Sequence, residues 1–177
     1  MNLSRLLETD ARLSARLNLL DRPGPLKAAA SALAHSGDSP FWVVGLALVW
    51  WLGDAFWKRQ ALADLIGVFA AAGIVFALKF AIRRPRPEGE WGALYRRLDA
   101  HSFPSGHAAR MAMLATVAAG FGPPIWAVAL IAWAALVMLA RVALKVHYLS
   151  DVIGGAVVGV VVGLGVAWLM LYSTVLR

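Results

Sequence analysis

The sequence predicts an all-α integral-membrane helical bundle of about five to six transmembrane helices, with an N-terminal amphipathic helix on the membrane surface. Three observations carry this. Of 177 residues, 60% are hydrophobic and only 15% charged, a balance too apolar for a soluble domain of this size. The apolar residues fall in runs close to the roughly 20 that a helix needs to cross a bilayer. The polar residues that interrupt them gather in three short clusters at run ends.

Residues 3–20 place Leu3, Leu6, Leu7, Leu13, Leu17 and Leu20 at helical spacing, with Arg5, Arg12 and Arg16 between them. That pattern suits a helix lying in the interface. Arg22-Pro23-Gly24-Pro25 ends it. Residues 26–35 are apolar but too short to span, and Gly37-Asp38-Ser39-Pro40 is a turn with a helix-start signal. Spans are expected over 40–57, 61–82, 106–121, 124–144 and 151–172. The third is short, which a protein-lined pocket at its first turn would accommodate. Gly122-Pro123-Pro124 connects the third span to the fourth, and the Arg-, Glu-, Gly- and Pro-rich stretch 83–104 reads as an ordered loop. Residues 1–177 form one domain, with an interfacial segment over 1–38 and a transmembrane core over 39–177. No cleavable signal peptide is expected, because no apolar h-region follows the N-terminal charges.

Alternation of the spans brings the three clusters to one membrane face. Lys79…Arg86-Pro87 ends the second span, and Pro104-Ser105-Gly106-His107 starts the third. Arg141…His147…Asp151 joins the fourth to the fifth. Ionisable groups at such depth are costly and mark function. Arg83, Arg84 and the prolines at 85 and 87 break the helix, so Lys79 and Arg86 can converge on phosphate oxygens. Ser105 and Gly106 open a helix whose unsatisfied amides attract anions, although Ser105 also suits a simple N-cap. Asp151, one turn from His147, can accept Nδ1–H and leave Nε2 as a nucleophile. Each cluster alone also fits a bland role: a headgroup anchor, a helix cap, a snorkelling arginine. Together they supply a nucleophile, an acid, an anion clamp and an orienting carboxylate.

The joint pattern resembles the type-2 phosphatidic acid phosphatase family of membrane lipid phosphatases. Its signature is Lys-x6-Arg-Pro, then Pro-Ser-Gly-His, then Ser-Arg-x5-His-x3-Asp. This chain matches it over residues 79–151, except that Ala140 stands where the family usually has serine. The resemblance implies that His147 attacks phosphorus to form a phosphohistidine, Asp151 holds its tautomer, and His107 protonates the leaving oxygen. It further implies that Lys79, Arg86, Arg141, Ser105 and the Gly106 backbone cradle the phosphate. Ala140 is expected to cost one phosphate-facing hydrogen bond, roughly 1–3 kcal/mol. No metal or other cofactor is expected, since cationic side chains take the metal's part and no carboxylate-rich cluster adjoins the site. The absence of cysteine excludes thiol nucleophiles and zinc–thiolate sites.

The implied substrate is a lipid phosphate in the bilayer, with polyprenyl (undecaprenyl) pyrophosphate favoured by the small size. Phosphatidic acid or phosphatidylglycerophosphate is the alternative. More distant readings are a non-catalytic lipid-phosphate binder or transporter, which would not need both histidines, and a haloperoxidase, which would be soluble. Arg110, three residues after His107, is a candidate headgroup contact. Glu88, Glu90, Asp99 and His101 read as a solvated rim, and His35 as interfacial. The stripe Gly155, Gly159 and Gly163 predicts close packing inside the monomer rather than a homodimer. Trp42, Trp50, Trp51, Trp57 and Trp168 read mainly as interface anchors. The net charge of +7 suits anionic headgroups, and no basic stripe interleaved with aromatics suggests nucleic acid. The resemblance places the site on the periplasmic side of the cell (inner) membrane. The excess of Lys and Arg on the same face argues for the cytoplasm. The exterior is favoured because phosphate binding accounts for several of these arginines.

Overall fold

In the computed structural model, residues 3–19, 24–89, 97 and 99–175 are described. The expected break at Arg22-Pro23 and the rim residue Glu90 lie outside them. The described residues form seven helices: α1 (Leu3–Arg16), α2 (Pro25–Ser36), α3 (Ser39–Leu52), α4 (Ala55–Ile82), α5 (Gly106–Phe121), α6 (Pro124–Ala143) and α7 (Leu149–Val175). Among them there is no strand, only an isolated bridge between Pro85 and His101.

The boundary between the first two expected spans lies earlier than the hydropathy suggests. Asp54 is an N-cap whose Oδ1 accepts from Phe56 N at 3.0 Å and Trp57 N at 3.1 Å. A cap that satisfies two first-turn amides starts a helix there, so α3 stops at Leu52 and α4 runs for 28 residues. Arg83 ends α4 in the left-handed region (φ 53°), its amide bonded to Lys79 O. Pro85 then bars a return to helix. Lys145 (φ 52°) closes α6 in the same way. There Arg141 O accepts from both Val146 N (3.1 Å) and His147 N (3.3 Å).

Three helices are long and apolar enough to cross a membrane: Ala55–Ile82, Pro124–Ala143 and Leu149–Tyr172. Helix α3 is apolar but shorter. At 16 residues α5 is about 24 Å long, less than a hydrocarbon core. Neighbours cover it almost completely, and Met111, Met113, Leu114 and Val117 form the centre of the core with Val68, Val137 and Val166. The outer faces are apolar instead: Phe69, Phe76, Val161, Leu164 and Trp168 are exposed. An apolar exterior around a small-residue interior suits lipid as solvent.

Helix α7 packs on α5 through its glycine stripe. A Cβ at Gly155 would overlap Ser105 O, one at Gly159 would overlap Ala109 O, and one at Gly163 would lie 2.7 Å from Thr116 Cβ. The stripe is therefore used within the chain. Helix α2 packs on α6, with Ala30 and Ala34 against Ala140, Leu144 and Val146. In α1, Leu6, Leu7 and Leu13 are exposed and Ser14 is buried, so its polar side faces the protein.

If the α5–α7 approach sets the fold, Gly159→Ala should destabilise the detergent-solubilised protein by about 1–3 kcal/mol. Gly165→Ala, with open space at the new Cβ, should stay within about 0.5 kcal/mol. Thermal unfolding of the two variants side by side checks this; equal melting temperatures would refute it.

Candidate active site

All three clusters open on one cavity of about 570 Å³, lined by Lys79, Arg86, Gly106, His107, Arg110, Arg141 and His147. Val68, Ala71, Val75, Phe76 and Phe80 of α4 form its apolar wall. The cavity thus joins a cationic floor to a hydrophobic flank.

His147 lies in the α6–α7 turn and is 1% exposed. Arg86 Nη1 stands 3.3 Å from its Nε2. A guanidinium can only donate, so Nε2 must carry the lone pair and Nδ1 the proton. Nδ1 faces Asp151 Oδ2 at 3.5 Å, an ion-pair distance too long for a normal hydrogen bond. Nδ1 accordingly has no hydrogen-bond partner among the described residues. Burial pushes the imidazole well below its usual pKa, and Arg141, Arg86 and Lys79 push it further. His147 is therefore neutral at physiological pH, with Nε2 among the cations.

Asp151 is fully buried and bound on both oxygens. Oδ1 accepts from Arg84 Nη1 at 2.8 Å, and Oδ2 accepts from Tyr148 N at 2.8 Å, closing half of a capping box on α7. The next two amides of α7 are capped from α1. Leu149 N donates to Ser14 Oγ (2.8 Å) and Ser150 N to Asp10 Oδ1 (3.0 Å). Arg84 also binds Asp10 Oδ2 at 2.7 Å and lies 4.1 Å over the Tyr148 ring. Burial raises the Asp10 pKa, but its bonds from Ser150 and Arg84 outweigh that and leave it below the usual carboxylate range. From sequence Arg84 reads only as a helix breaker, and Asp10 carries no assigned role. The available signal was a lone pair of acids on an otherwise basic α1.

The anion cradle holds a carboxylate. Asp99 pairs with Lys79 Nζ and with Arg86 Nη2 (2.9 Å), while Arg86 Nε donates to Asp99 O (2.8 Å). Asp99 is thus no simple rim residue: its carboxylate occupies the two cations. His101, also read as rim, lines the cavity and meets Phe80 edge-on at 5.8 Å. Arg141 is 1% exposed and lines the cavity.

Ser105 is the N-cap of α5. Its hydroxyl accepts from Ala108 N at a long 3.4 Å, and its amide donates to Asp151 O at 2.9 Å. The fully buried serine is not part of the cavity wall, whereas Gly106 is. Ala140 also lies away from the cavity, in the α2–α6 apolar cluster. A serine there would meet alanines and Leu144 rather than phosphate, so the expected loss of a phosphate-facing hydrogen bond is corrected.

His107 Nε2 lies 2.6 Å from Asp38 Oδ1, and His35 Nδ1 lies 3.0 Å from Asp38 Oδ2. His35, given no partner from sequence, thus has one. Arg110 binds Gly37 O and Ser39 Oγ on either side of Asp38, so the candidate headgroup contact grips the α2–α3 turn. It also lines the cavity. Among the described residues, no group of three or more His, Cys, Asp or Glu could hold a metal ion.

A sequence profile of the PAP2 superfamily matches residues 60–174. The decaprenylphosphoryl-5-phosphoribose phosphatase of Mycobacterium tuberculosis is 33% identical over 162 residues, covering 88% of this chain and 86% of that one. The lipid A 1-phosphatase of Rhizobium etli is also 33% identical over 162 residues, covering 78% and 69%. Among solved structures, the transmembrane PAP2-type phosphatidylglycerolphosphate phosphatase of Bacillus subtilis superposes with a TM-score of 0.73 at 24% identity, covering 92% of this chain and 84% of that one. At that identity the likeness is one of fold. With the profile spanning most of its length and all three signature segments meeting at one cavity, the chain belongs to the PAP2 superfamily.

Proposed function

We propose that this protein is a multi-pass membrane phosphatase that removes a terminal phosphate from a lipid through a phosphohistidine on His147. The observation that carries the reading is the cavity itself. Lys79, Arg86 and Arg141 surround a neutral imidazole at one end, and the wall of α4 offers an apolar path to the lipid-facing Phe76 and Phe80. A soluble phosphate ester would need no such wall.

In the proposed reaction His147 Nε2 attacks phosphorus, and the three cations with the Gly106 amide gather the charge spreading over the equatorial oxygens. Asp151 faces the Nδ1–H of the ring and compensates its positive charge once Nε2 is phosphorylated. His107 gives a proton to the departing oxygen, then takes one from the water that releases phosphate. Lys79, Arg86 and Arg141 supply the positive charge that a metal ion would otherwise bring, so the proposed chemistry needs no cofactor. The favoured substrate is polyprenyl (undecaprenyl) pyrophosphate, with phosphatidic acid or phosphatidylglycerophosphate as the alternative. The name of the Mycobacterium tuberculosis relative, with its decaprenyl chain, supports a polyprenyl tail. The chain acts as one domain, with five spans (α3 to α7) and the exposed leucines of α1 resting in the interface. The cavity opens toward the periplasm.

A panel of purified lipid phosphates in mixed micelles tests the reaction and ranks its substrates. Phosphate release should be highest with polyprenyl pyrophosphate. His147→Ala should lose at least about 10⁴-fold in turnover and all acid-labile phosphoenzyme; wild-type turnover in the variant would refute the nucleophile. Excess EDTA should leave activity unchanged, and a loss reversed by Mg²⁺ would show that a metal is required. The chain has no cysteine, so exposed Glu88→Cys gives one label site on the active-site face. It should react with an impermeant maleimide in intact cells; labelling only after permeabilisation would place the cavity in the cytoplasm.

A further inference from the structure

Asp38 occupies the N-cap position of α3, where an aspartate ordinarily accepts from the first helical amides. Here the side chain makes no capping hydrogen bond. Both oxygens go to imidazoles instead: Oδ1 to His107 Nε2 at 2.6 Å and Oδ2 to His35 Nδ1 at 3.0 Å. The turn that carries it is seated tightly. A Cβ on Gly37 would lie 3.0 Å from His107 Cδ2 and 3.0 Å from Val137 Cγ1. Arg110 holds the turn from α5 through Gly37 O and Ser39 Oγ. Burial raises the Asp38 pKa, but the bonds from His107 and His35 outweigh it and bring it to about 2. The group is therefore a carboxylate at any working pH.

A general acid must hold a proton before it can give one. His107 shares its cavity with Arg110 and Arg141, so a further positive charge on the ring is opposed unless a carboxylate answers it. We propose that Asp38 is the positioning residue of His107, fixing its ring and supplying the counter-charge of its protonated form, with His35 steadying the carboxylate. This rests on the phosphatase reading and adds to it a residue outside the three signature clusters. With Nε2–H held by Asp38, Nδ1 is the ring atom that exchanges protons with substrate. As the P–O bond breaks and the P–N bond to His147 forms, the Nδ1 proton passes to the leaving oxygen. When water attacks phosphorus and the P–N bond breaks, Nδ1 takes a proton from that water, and Asp38 stays a carboxylate throughout.

The test compares an alkyl lipid phosphate with an aryl phosphate ester, whose leaving group departs without protonation. The native chain is assayed first; if it turns over neither, the phosphatase reading fails before any variant is made. Given native turnover, Asp38→Asn should lose on the order of 10- to 100-fold in kcat on the alkyl substrate and less than about threefold on the aryl ester. KM should be unchanged for both. Equal losses on the two substrates, or no loss on the alkyl one, would overturn the assignment while leaving the phosphatase intact. Should Asp38→Asn not fold, ¹⁵N-histidine NMR of the native chain in micelles, with His107→Gln for assignment, reads the same contact. A proton on His107 Nε2 supports the pairing, and an unprotonated Nε2 at neutral pH refutes it.

Discussion

The close approach of α5 and α7 is the constraint from which the rest of the site follows. At Gly155 and Gly159, backbone carbonyls of Ser105 and Ala109 lie where a side chain would begin. In lipid, apolar surface gives helices little reason to associate, so contact must come from packing and hydrogen bonds between small residues. Here that packing has a chemical consequence. Ser105 N donates to Asp151 O across the interface at 2.9 Å. The helix start that carries Gly106 and His107 is thereby joined to the one that carries Asp151 and follows His147. A slip along this interface would separate His107 from His147.

The second feature is how so many cations coexist in a membrane protein. Lys79, Arg86, Arg110 and Arg141 are all buried, and desolvating each costs several kcal/mol. Carboxylates from scattered places answer two of these and the neighbouring Arg84, while Arg110 donates to Gly37 O and Ser39 Oγ. Asp99 spans Lys79 and Arg86, and Asp151 with Asp10 takes Arg84. None of these pairs is local in sequence. Asp99 is more exposed than Asp151, with 39% of its side chain accessible against none.

Helix α1 gains a structural meaning from the same network. Its leucines face outward, while Asp10 and Ser14 cap the first amides of α7. A helix whose apolar side is exposed therefore also fixes the turn that holds His147. The relatives named for lipid A and for a decaprenyl phosphosugar show how varied the lipids named for this superfamily are. In this chain one end of the cavity is cationic, whereas α4 supplies an apolar wall.

Sequence alone specifies the helical membrane class, the order of the apolar runs and the meeting of Lys79, His107 and His147 at one end. Each of these depends on local hydropathy, on helix-breaking residues or on simple alternation of spans. It did not place the start of α4, because whether Asp54 caps a helix or ends one depends on competition between neighbouring turns. Nor did it give Asp10, Arg84 or Asp38 their partners, or show that Ala140 faces the α2 helix. Those facts rest on contacts across 70 or more positions for Asp10–Arg84, Asp10–Ser150 and Ala140–Ala30, and across 69 for Asp38–His107. Charge pairing over such separations has no periodicity to read. It is decided only when the packed helices bring one carboxylate nearer to an imidazole than to the amides it would otherwise cap.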